Sequence, residues 1–408
     1  MEASTEAAEA QQWAGFKDFY QSTQPTRIIA GRDLIASAGF EFMKEGAARV
    51  LIVTDEVIRA TGLIDKVEAG LTDGGLEVGG VFDQVPQDSA TDVVERCAEY
   101  AKEVGADSFI AVGGGSVIDT AKAAVLIFTH GGTVREHEGF YLMPRAGDGM
   151  GRPEDIAPLA VIPTTAGTGS EVSMAAVVKD HEEKVKVEIA DFPLFPRLAI
   201  LDPESTRTLP PAIAAATGMD AMTHAIEGHT CTDWSPHLSA NVLQALRLLR
   251  DNLERAVTDG PNDEEARGNM LIAAALAINL NLGSVHAMSH PCGAHYGVPH
   301  GVANSINLPH VVRYNCAGGT PIANRFREVA DIFDVESGGA DEAVGDAIAT
   351  HLTELSGRMG LPTRLSEAGV PEEGIPTLVD GALGDGTTLL NPREVSEEAY
   401  TELYRAAL

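Results

Sequence analysis

Short apolar runs punctuate the first half of the chain. Four of them are bounded by turn residues and show no polar alternation: 49–54 (RVLIVT), 108–112 (SFIAV), 159–163 (LAVIP) and 198–201 (LAIL). Continuous apolar runs of this length are typical of strands that are buried on both faces of a parallel sheet. Helical patterns such as 90–104 (ATDVVERCAEYAKEV) lie between the runs. Alternating strands and helices predict a doubly wound α/β domain with a mostly parallel sheet.

The pattern changes after about residue 202. Two long segments, 239–257 and 264–280, carry apolar residues at i, i+3 and i+4 spacing, and strand-like runs are no longer recognisable. This periodicity predicts an all-helical second domain. Near the end, the glycine-rich segment 381–392 is expected to be a loop, with a last helix beginning at about Ser396.

These patterns divide the chain into three parts. We predict an N-terminal extension over residues 1–25, a dinucleotide-binding α/β domain over 26–203, and an all-α metal-binding domain over 204–408. The length of 408 residues suits two or three domains.

The charge and the chain termini narrow the classes of function. A formal net charge of −31 repels phosphate backbones and anionic membranes, so we expect neither nucleic acid nor a membrane as a partner. The first residues lack the basic and apolar regions of a signal peptide, and apolar runs of membrane-spanning length are missing, which favours a cytoplasmic protein. The four widely spaced cysteines predict reduced thiols rather than disulfides.

A glycine-rich segment follows the second apolar run. Residues 111–122 read AVGGGSVIDTAK, so a strand leads through Gly113, Gly114 and Gly115 into a helix that begins near Ser116. Glycines let backbone N–H groups approach a phosphate closely, and a helix N-terminus favours negative charge. The segment therefore indicates a diphosphate site, although a tight strand-to-helix turn would account for the same residues.

A second loop of this kind follows the third run. Residues 163–171 read PTTAGTGSE, and hydroxyl groups there can bind ribose or phosphate. Two such loops at the carboxyl ends of adjacent strands favour a dinucleotide over a simple turn. Asp55 follows the first run and can bind the adenosine ribose while repelling a 2′-phosphate, which favours NAD, with NADP as the alternative. The alternative role for Asp55 is that of a helix N-cap.

Histidines and an aspartate gather in the helical half. Asp220 and His224 are four residues apart, as are His286 and His290, so each pair shares one helix face. Pro291 is expected to break the second of these helices, with His300 after a short loop. Asp220, His224, His286 and His300 supply one carboxylate and three imidazoles, a set that suits iron or zinc rather than calcium or magnesium.

In these motifs the chain resembles the iron-containing (group III) alcohol dehydrogenase family, whose fold is shared with dehydroquinate synthase. The resemblance runs from about Thr26 to Leu408 and keeps the order of the family. It rests on the following segments: VTD, GGGSVIDTAK, PTTAGTGSEVS, ILDPESTRTLPP, GMDAMTHAIE, GSVHAMSHP and PHGVANSINLPHVVRYN.

The resemblance implies roles for individual residues. It implies that Asp220, His224, His286 and His300 hold the metal, Fe²⁺ or alternatively Zn²⁺. It places Gly113, Gly114, Gly115 and Ser116 on the cofactor diphosphate, with Asp119 in the same motif. Further cofactor contacts are implied for Thr164, Thr165, Thr168 and Lys186. His290 matches a histidine that lies beside the nicotinamide without binding metal, and we expect it to be catalytic.

The resemblance also implies an activity. We expect a metal-dependent, NAD(P)-linked dehydrogenase of a small alcohol, diol or hydroxy acid, or the reverse aldehyde reductase, working as a homodimer. A hydroxyacid–oxoacid transhydrogenase remains open because its motifs are similar. A lyase of the dehydroquinate synthase type is disfavoured, since basic residues do not cluster near His286 and His300 to bind a phosphorylated substrate. A binding protein without turnover is the alternative outside enzymes.

Overall fold

The computed structural model describes residues 20–140, 152–181, 183, 185–279 and 281–408. Backbone proximity divides the chain into two compact units. The sheet unit is Gln24–Leu209, and the helical unit is Pro210–Leu408 together with the described residues 20–23. Most of the predicted N-terminal extension lies outside the described residues. At its end, the Tyr20 hydroxyl lies 3.0 Å from Nδ1 of His237 within the helical unit.

A six-stranded, wholly parallel sheet forms the centre of the sheet unit. Its strands are β1 Arg27–Ala30, β2 Arg49–Val53, β3 Glu77–Phe82, β4 Ser108–Gly113, β6 Leu159–Pro163 and β9 Leu198–Leu201. They lie side by side in the order β1-β9-β6-β4-β2-β3. The four predicted runs are β2, β4, β6 and β9, and the predicted parallel α/β sheet is confirmed.

Helices cover both faces of this sheet. They are α1 Ala38–Met43, α2 Glu56–Ala60, α3 Leu63–Asp73, α4 Thr91–Glu103 and α5 Gly115–His130. Leu51 and Val53 of β2 pack in one apolar core with α4 and α5. Val50 and Ile52 pack in the other core with α3. Because each buried side chain of this size contributes roughly 1.5–3 kcal/mol, strands that are apolar at every position specify a sheet covered on both sides.

A second, three-stranded sheet was not predicted. It consists of β5 Gly139–Phe140, β7 Ala175–Asp180 and β8 Val185–Ala190, with β7 and β8 antiparallel. Three exposed positions of β7 and β8 carry the charged residues Lys179, Lys186 and Glu188, so these strands lack the continuous apolar character of the main sheet. Strands β1 and β3 were missed as well. Both lie at sheet edges, where one side of a strand has no neighbour to bury it.

The helical unit contains nine α-helices in the part of it that the structure describes, and no strand was found there. They are α6 Pro211–Thr230, α7 Pro236–Asp259, α8 Glu264–Ala277, α9 Ser284–Tyr296, α10 His300–Cys316, α11 Thr320–Phe333, α12 Asp341–Arg358, α13 Ile375–Gly384 and α14 Glu397–Ala407. The predicted helices 239–257 and 264–280 correspond to α7 and α8. Residue 280, the last of the second predicted helix, lies outside the described ranges. The predicted all-helical character is confirmed.

Two local predictions in this unit were wrong. Helix α9 does not break at Pro291 but continues to Tyr296. Proline removes the hydrogen bond to the carbonyl four residues earlier and crowds that carbonyl, but packing compensates, since Gly381 of α13 lies against the Pro291 ring. The expected loop 381–392 begins inside α13, which extends to Gly384, and continues as a 3₁₀ turn over Gly386–Leu390. Alanine and leucine, which have high helix propensity, favour continuation of the helix in this segment despite its glycines.

Within the described ranges, no helix is both long and apolar enough to cross a membrane. All four cysteines are buried and are not joined in disulfides. Burial raises the pKa of Cys97 above its usual range, and that of Cys292 to about 12, which keeps both thiols protonated.

Candidate active site

The predicted cofactor loops lie at one edge of the main sheet. Strands β2, β4 and β6 are neighbours, and their carboxyl ends are in register, with Gly113 opposite Pro163. Thr54 Oγ1 donates to the carbonyl of Val112 at 2.8 Å, and the N–H of Thr164 donates to Gly113 at 3.0 Å. The strand order reverses between β2 and β4, since β3 lies on one side of β2 and β4 on the other. Ligands of open α/β sheets bind at such a point.

Steric crowding around the first loop favours glycine at these positions. A Cβ on Gly113 would lie 2.5 Å from Val117, and one on Gly115 would lie 2.9 Å from the Thr168 side chain. Helix α5 starts from Gly114, so a side chain does not cap it, and its first turn contains no acidic residue. The N-terminal N–H groups of a helix with such a start suit an anion. The Ser116 hydroxyl donates to the carbonyl of Gln87.

The other predicted cofactor residues surround this helix start. Thr165 and Thr168 lie against the positions of Gly114 and Gly115, and Thr164 is buried beside them. Asp119 Oδ2 accepts the N–H of Val177 at 3.1 Å, while its Oδ1 is buried without a hydrogen-bond partner. Burial raises the pKa of Asp119 to about 6, opposed mainly by the charge of Lys122. Lys186 is exposed on β8 and also acts electrostatically on Asp119.

Lys122 is a buried cation that sequence reasoning passed over. Its ammonium donates to Ser173 Oγ at 3.0 Å and to the carbonyl of Ala175 at 2.8 Å. It thereby ties helix α5 to the strand that follows the second loop. Burial lowers the pKa of Lys122 to about 8, opposed by the charges of Asp119 and Glu171. The sequence signal for Lys122 was its position at the end of the glycine-rich segment AVGGGSVIDTAK.

Asp55 has the capping role that was open as an alternative. Its Oδ1 accepts the N–H of Ile58 at 2.8 Å, and Asp55 is the N-cap of helix α2. One carboxylate oxygen is sufficient for the cap, so the cap and a ribose contact are compatible. The ribose contact stays a prediction.

In the helical unit, helices α6, α9 and α10 bring the predicted metal ligands together. Asp220 Oδ1 lies 3.4 Å from Nε2 of His300, 3.8 Å from Nε2 of His224 and 4.0 Å from Nε2 of His286. Donor atoms of Asp220, His286 and His300 all lie within 4.8 Å of one another. The His224 ring stacks on that of His286 with centroids 5.0 Å apart.

Close helix packing makes this convergence feasible. A Cβ on Gly301 would lie 2.2 Å from the backbone oxygen of Ala216, so only glycine lets the start of α10 approach α6 this closely. His300 is the first residue of α10, next to this contact. Asp220, His224 and the overlooked Glu227 occupy positions i, i+4 and i+7 of α6 and share a face.

The electrostatics suit a cation at this point. Burial raises the pKa of Asp220, but the charges of neighbouring histidines, chiefly His224 and His300, and the hydrogen bond from Asn304 outweigh it, so the pKa is lowered overall. Burial and the charge of His224 hold the pKa of His286 well below its usual value. Asp220 is therefore an anion and His286 is neutral, which are the protonation states that metal ligands require.

Two further polar residues contact the cluster. Asn304 lies one turn after His300, and its Nδ2 donates to Asp220 Oδ1 at 2.8 Å. Glu227 Oε2 lies 2.5 Å from Nδ1 of His286, and burial raises the pKa of Glu227 to about 7. Sequence reasoning missed both, although the helical spacing from Asp220 to Glu227 was visible.

His290 is paired with a residue that sequence reasoning also missed. Its Nδ1 lies 2.6 Å from Oδ2 of Asp385, whose Oδ1 accepts the N–H and hydroxyl of Thr387. Burial raises the pKa of Asp385, but the hydrogen bond and charge of His290 outweigh it and hold the pKa well below its usual value. The His290 ring stacks on that of His300 with centroids 5.4 Å apart. His290 therefore borders the ligand cluster.

These residues fit a first-row divalent metal. A carboxylate oxygen and imidazole nitrogens converge, and nitrogen-rich sets of this kind suit iron or zinc. Nδ1 of His224 and Oδ1 of Asn304 are buried without hydrogen-bond partners, so the polar groups here are not satisfied by the protein alone.

Comparison with known proteins decides the family. The description "Iron-containing alcohol dehydrogenase" matches residues 25–203, and "Fe-containing alcohol dehydrogenase family, C-terminal" matches residues 214–408. The chain belongs to the iron-containing alcohol dehydrogenase family. The predicted family, fold class and enzyme class, and the nicotinamide and iron cofactors, are confirmed.

Alignments with individual members of the family cover nearly the whole chain. NAD-dependent methanol dehydrogenase of Bacillus methanolicus is 34% identical over 94% of this chain and 98% of its own. 1,3-Propanediol dehydrogenase of Klebsiella pneumoniae is 37% identical over 94% of this chain and 97% of its own. A crystal structure of 1,3-propanediol oxidoreductase has a TM-score of 0.89 and 33% identity, covering 96% of this chain and all of that one.

Proposed function

We propose that this dehydrogenase interconverts short primary alcohols or diols and their aldehydes with NAD as the hydride acceptor. Asp220, His224, His286 and His300 hold the metal, and the two loops of the sheet unit bind the dinucleotide. The convergence of Asp220 with three imidazole nitrogens within 4.0 Å carries this proposal. Relatives named for methanol and for 1,3-propanediol support a short substrate.

The mechanism divides between the cofactors and the chain. Iron, when bound, supplies a Lewis acid that polarises the C–O group of the substrate. A nicotinamide cofactor held by the two loops would supply the hydride chemistry. His290 accepts the hydroxyl proton on oxidation and returns it on reduction. Oδ2 of Asp385, 2.6 Å from Nδ1 of His290, accepts the Nδ1 proton in a hydrogen bond, which leaves Nε2 to exchange the transferred proton.

The loops of the sheet unit orient the dinucleotide. Gly113, Gly114, Gly115 and Ser116 present the start of α5 to the diphosphate. Thr164, Thr165 and Thr168 bind the cofactor beside it, together with Asp119 and Lys186. Asp55, after β2, binds the adenosine ribose and disfavours the 2′-phosphate of NADP. The location of the two loops at the strand-order reversal of the main sheet supports this assignment.

Initial rates with a substrate panel test the proposed function. NADH formation is measured with methanol, ethanol, 1-propanol and 1,3-propanediol, and with glycerol and 2-propanol for comparison. We expect the primary alcohols to give the higher kcat/KM. If every alcohol is inert while a hydroxyacid and an oxoacid exchange hydride without added NAD, the protein is a transhydrogenase and the proposal is wrong.

We further propose a cytoplasmic homodimer that binds neither nucleic acid nor membranes. The net charge of −31 supports the second part, because it repels polyanions. The family resemblance supports the dimer. Light scattering on the purified chain gives its mass directly, and a value of one chain would exclude the dimer.

A further inference from the structure

Glu227 joins two parts of the candidate metal site. It is buried on α6, and each of its two carboxylate oxygens faces a nitrogen atom at the start of α9. Oε2 lies 2.5 Å from Nδ1 of His286, and Oε1 accepts the N–H of Val285 at 2.7 Å. A Cβ on Gly283 would lie 3.0 Å from Oε1, tighter than an ordinary contact, so glycine favours this approach. None of these contacts involves a ligand atom of the proposed site.

The proton on His286 follows from these contacts. With a metal on Nε2, the neutral ring would carry its proton on Nδ1, 2.5 Å from Oε2 of Glu227, and the carboxylate is placed to accept it. On the other side of the ring, Asn304 Nδ2 donates to Asp220 Oδ1 at 2.8 Å and lies 3.1 Å from Nε2 of His300 and 3.4 Å from Nε2 of His286.

We propose that Glu227 is a positioning residue that fixes the tautomer of His286, keeping Nε2 unprotonated for the metal. The inference rests on the proposed metal site and adds a residue that acts on it from outside. Metal-bound histidines commonly donate their second N–H to a carboxylate, and losing such a partner costs about 10–100-fold in metal affinity.

The isosteric amide provides the sharpest test. Glu227→Gln has one acceptor oxygen, and the N–H of Val285 needs it because that group is otherwise buried without a partner. The NH₂ group then faces Nδ1 of His286, which must accept, so the proton moves to Nε2. The variant keeps the shape of the side chain but removes the lone pair on the metal side.

Glu227→Ala separates this effect from simple loss of structure. It removes the acceptor for Val285 and leaves a cavity, so it is the more destabilising change. It does not place a donor against Nδ1, so His286 can keep its proton there. A tautomer role therefore predicts that Gln impairs metal binding more than Ala, whereas a merely structural role predicts the reverse order.

The first experiment measures affinity for Zn²⁺ and Co²⁺ by competition with a chelator in the full-length chain. We expect Glu227→Gln to bind each ion about 10–100-fold more weakly than the wild type, and more weakly than Glu227→Ala, which should melt at the lower temperature. Glu328→Gln is the matched control, since Glu328 lies 3.4 Å from His229 in the same unit, away from the site. Wild-type affinity in Glu227→Gln, or weaker binding in Glu227→Ala, would overturn the proposal.

A second experiment reads the tautomer directly in the metal-free chain. Nitrogen-15 NMR of labelled histidines distinguishes a protonated Nδ1 from a protonated Nε2, and His286→Gln assigns the signal. We expect Nδ1–H in the wild type and Nε2–H in Glu227→Gln, with His229 unchanged. The same tautomer in both proteins would contradict the role of Glu227. If the wild type bound no metal, the proposed function would fail, while this measurement would still decide the tautomer.

Discussion

Single carboxylates orient the imidazoles of this site. Glu227 faces Nδ1 of His286, and Asp385 faces Nδ1 of His290, so each ring has its Nε2 left for chemistry. Neither carboxylate was predicted from the sequence. Asp385 is 95 residues away from its partner His290. Glu227 reaches His286 only because two different helices pack together. The ligands themselves were predictable, since i, i+4 spacing on a helix is a local property. Contacts between distant segments depend on the tertiary fold.

The pairing of His290 with Asp385 leads to a prediction at this scale. In Asp385→Asn, the amide oxygen should stay with Thr387, whose N–H and hydroxyl both donate to it. The NH₂ group would then face His290 and place its proton on Nε2. Because positioned proton transfer contributes about 10²–10⁴-fold, we expect kcat to fall by about 100-fold with metal content unchanged. Stopped-flow hydride transfer and metal analysis check both parts, and an unaltered kcat would argue against proton relay by His290.

Asp55 allows cofactor choice to be separated from helix capping. Asp55→Ser removes the carboxylate but retains an N-cap oxygen for Ile58, so the fold should be kept. Removing a charge next to a 2′-phosphate should improve kcat/KM for NADP about tenfold or more, since such pairs are worth on the order of 1–4 kcal/mol. Kinetics with both cofactors measure the ratio. If NADP use did not change, Asp55 would be a cap only.

At the scale of elements, burial determined what the sequence could predict. Strands β2, β4, β6 and β9 are apolar at nearly every position because helices cover both faces of the sheet. Strands β1, β3, β7 and β8 lie at edges or in the small sheet, where exposed positions interrupt the pattern. Pro291 shows the limit of local sequence rules. Helix α9 continues past this proline, and α13 packs against the proline ring.

The contact between α6 and α10 gives a prediction at this scale. Gly301→Ala would place a Cβ 2.2 Å from the backbone of Ala216 and force the helices apart next to His300. Overpacking of this kind costs about 1–3 kcal/mol, so we expect a lower melting temperature and weaker metal binding.

Gly357→Ala is the control for this substitution. Gly357 lies in α12, and nothing would lie within 4 Å of its Cβ, so alanine should be tolerated or mildly stabilising. Calorimetry and metal titration are measured on both variants. Equal behaviour of the two would show that the approach of α10 to α6 is not tightly constrained.

At the scale of the whole molecule, the charge balance dominates. The chain has 60 acidic and 29 basic residues, so its surface repels itself at low ionic strength. The Debye length falls from about 10 Å at 0.1 M salt to about 3 Å at 1 M. We therefore expect the melting temperature to rise between 0.1 M and 1 M NaCl. A melting temperature that fell over this range would show that attractive ion pairs outweigh the net repulsion.

The dependence of turnover on a bound metal tests the central claim most directly. The protein is purified without chelator, its iron and zinc are quantified, and NADH formation from 1,3-propanediol is followed before and after EDTA treatment and after adding back each ion. We predict one ion per chain, loss of activity with its removal and recovery with iron or zinc, while His300→Ala retains neither metal nor turnover. Undiminished turnover in the metal-free protein would contradict the assignment of Asp220, His224, His286 and His300.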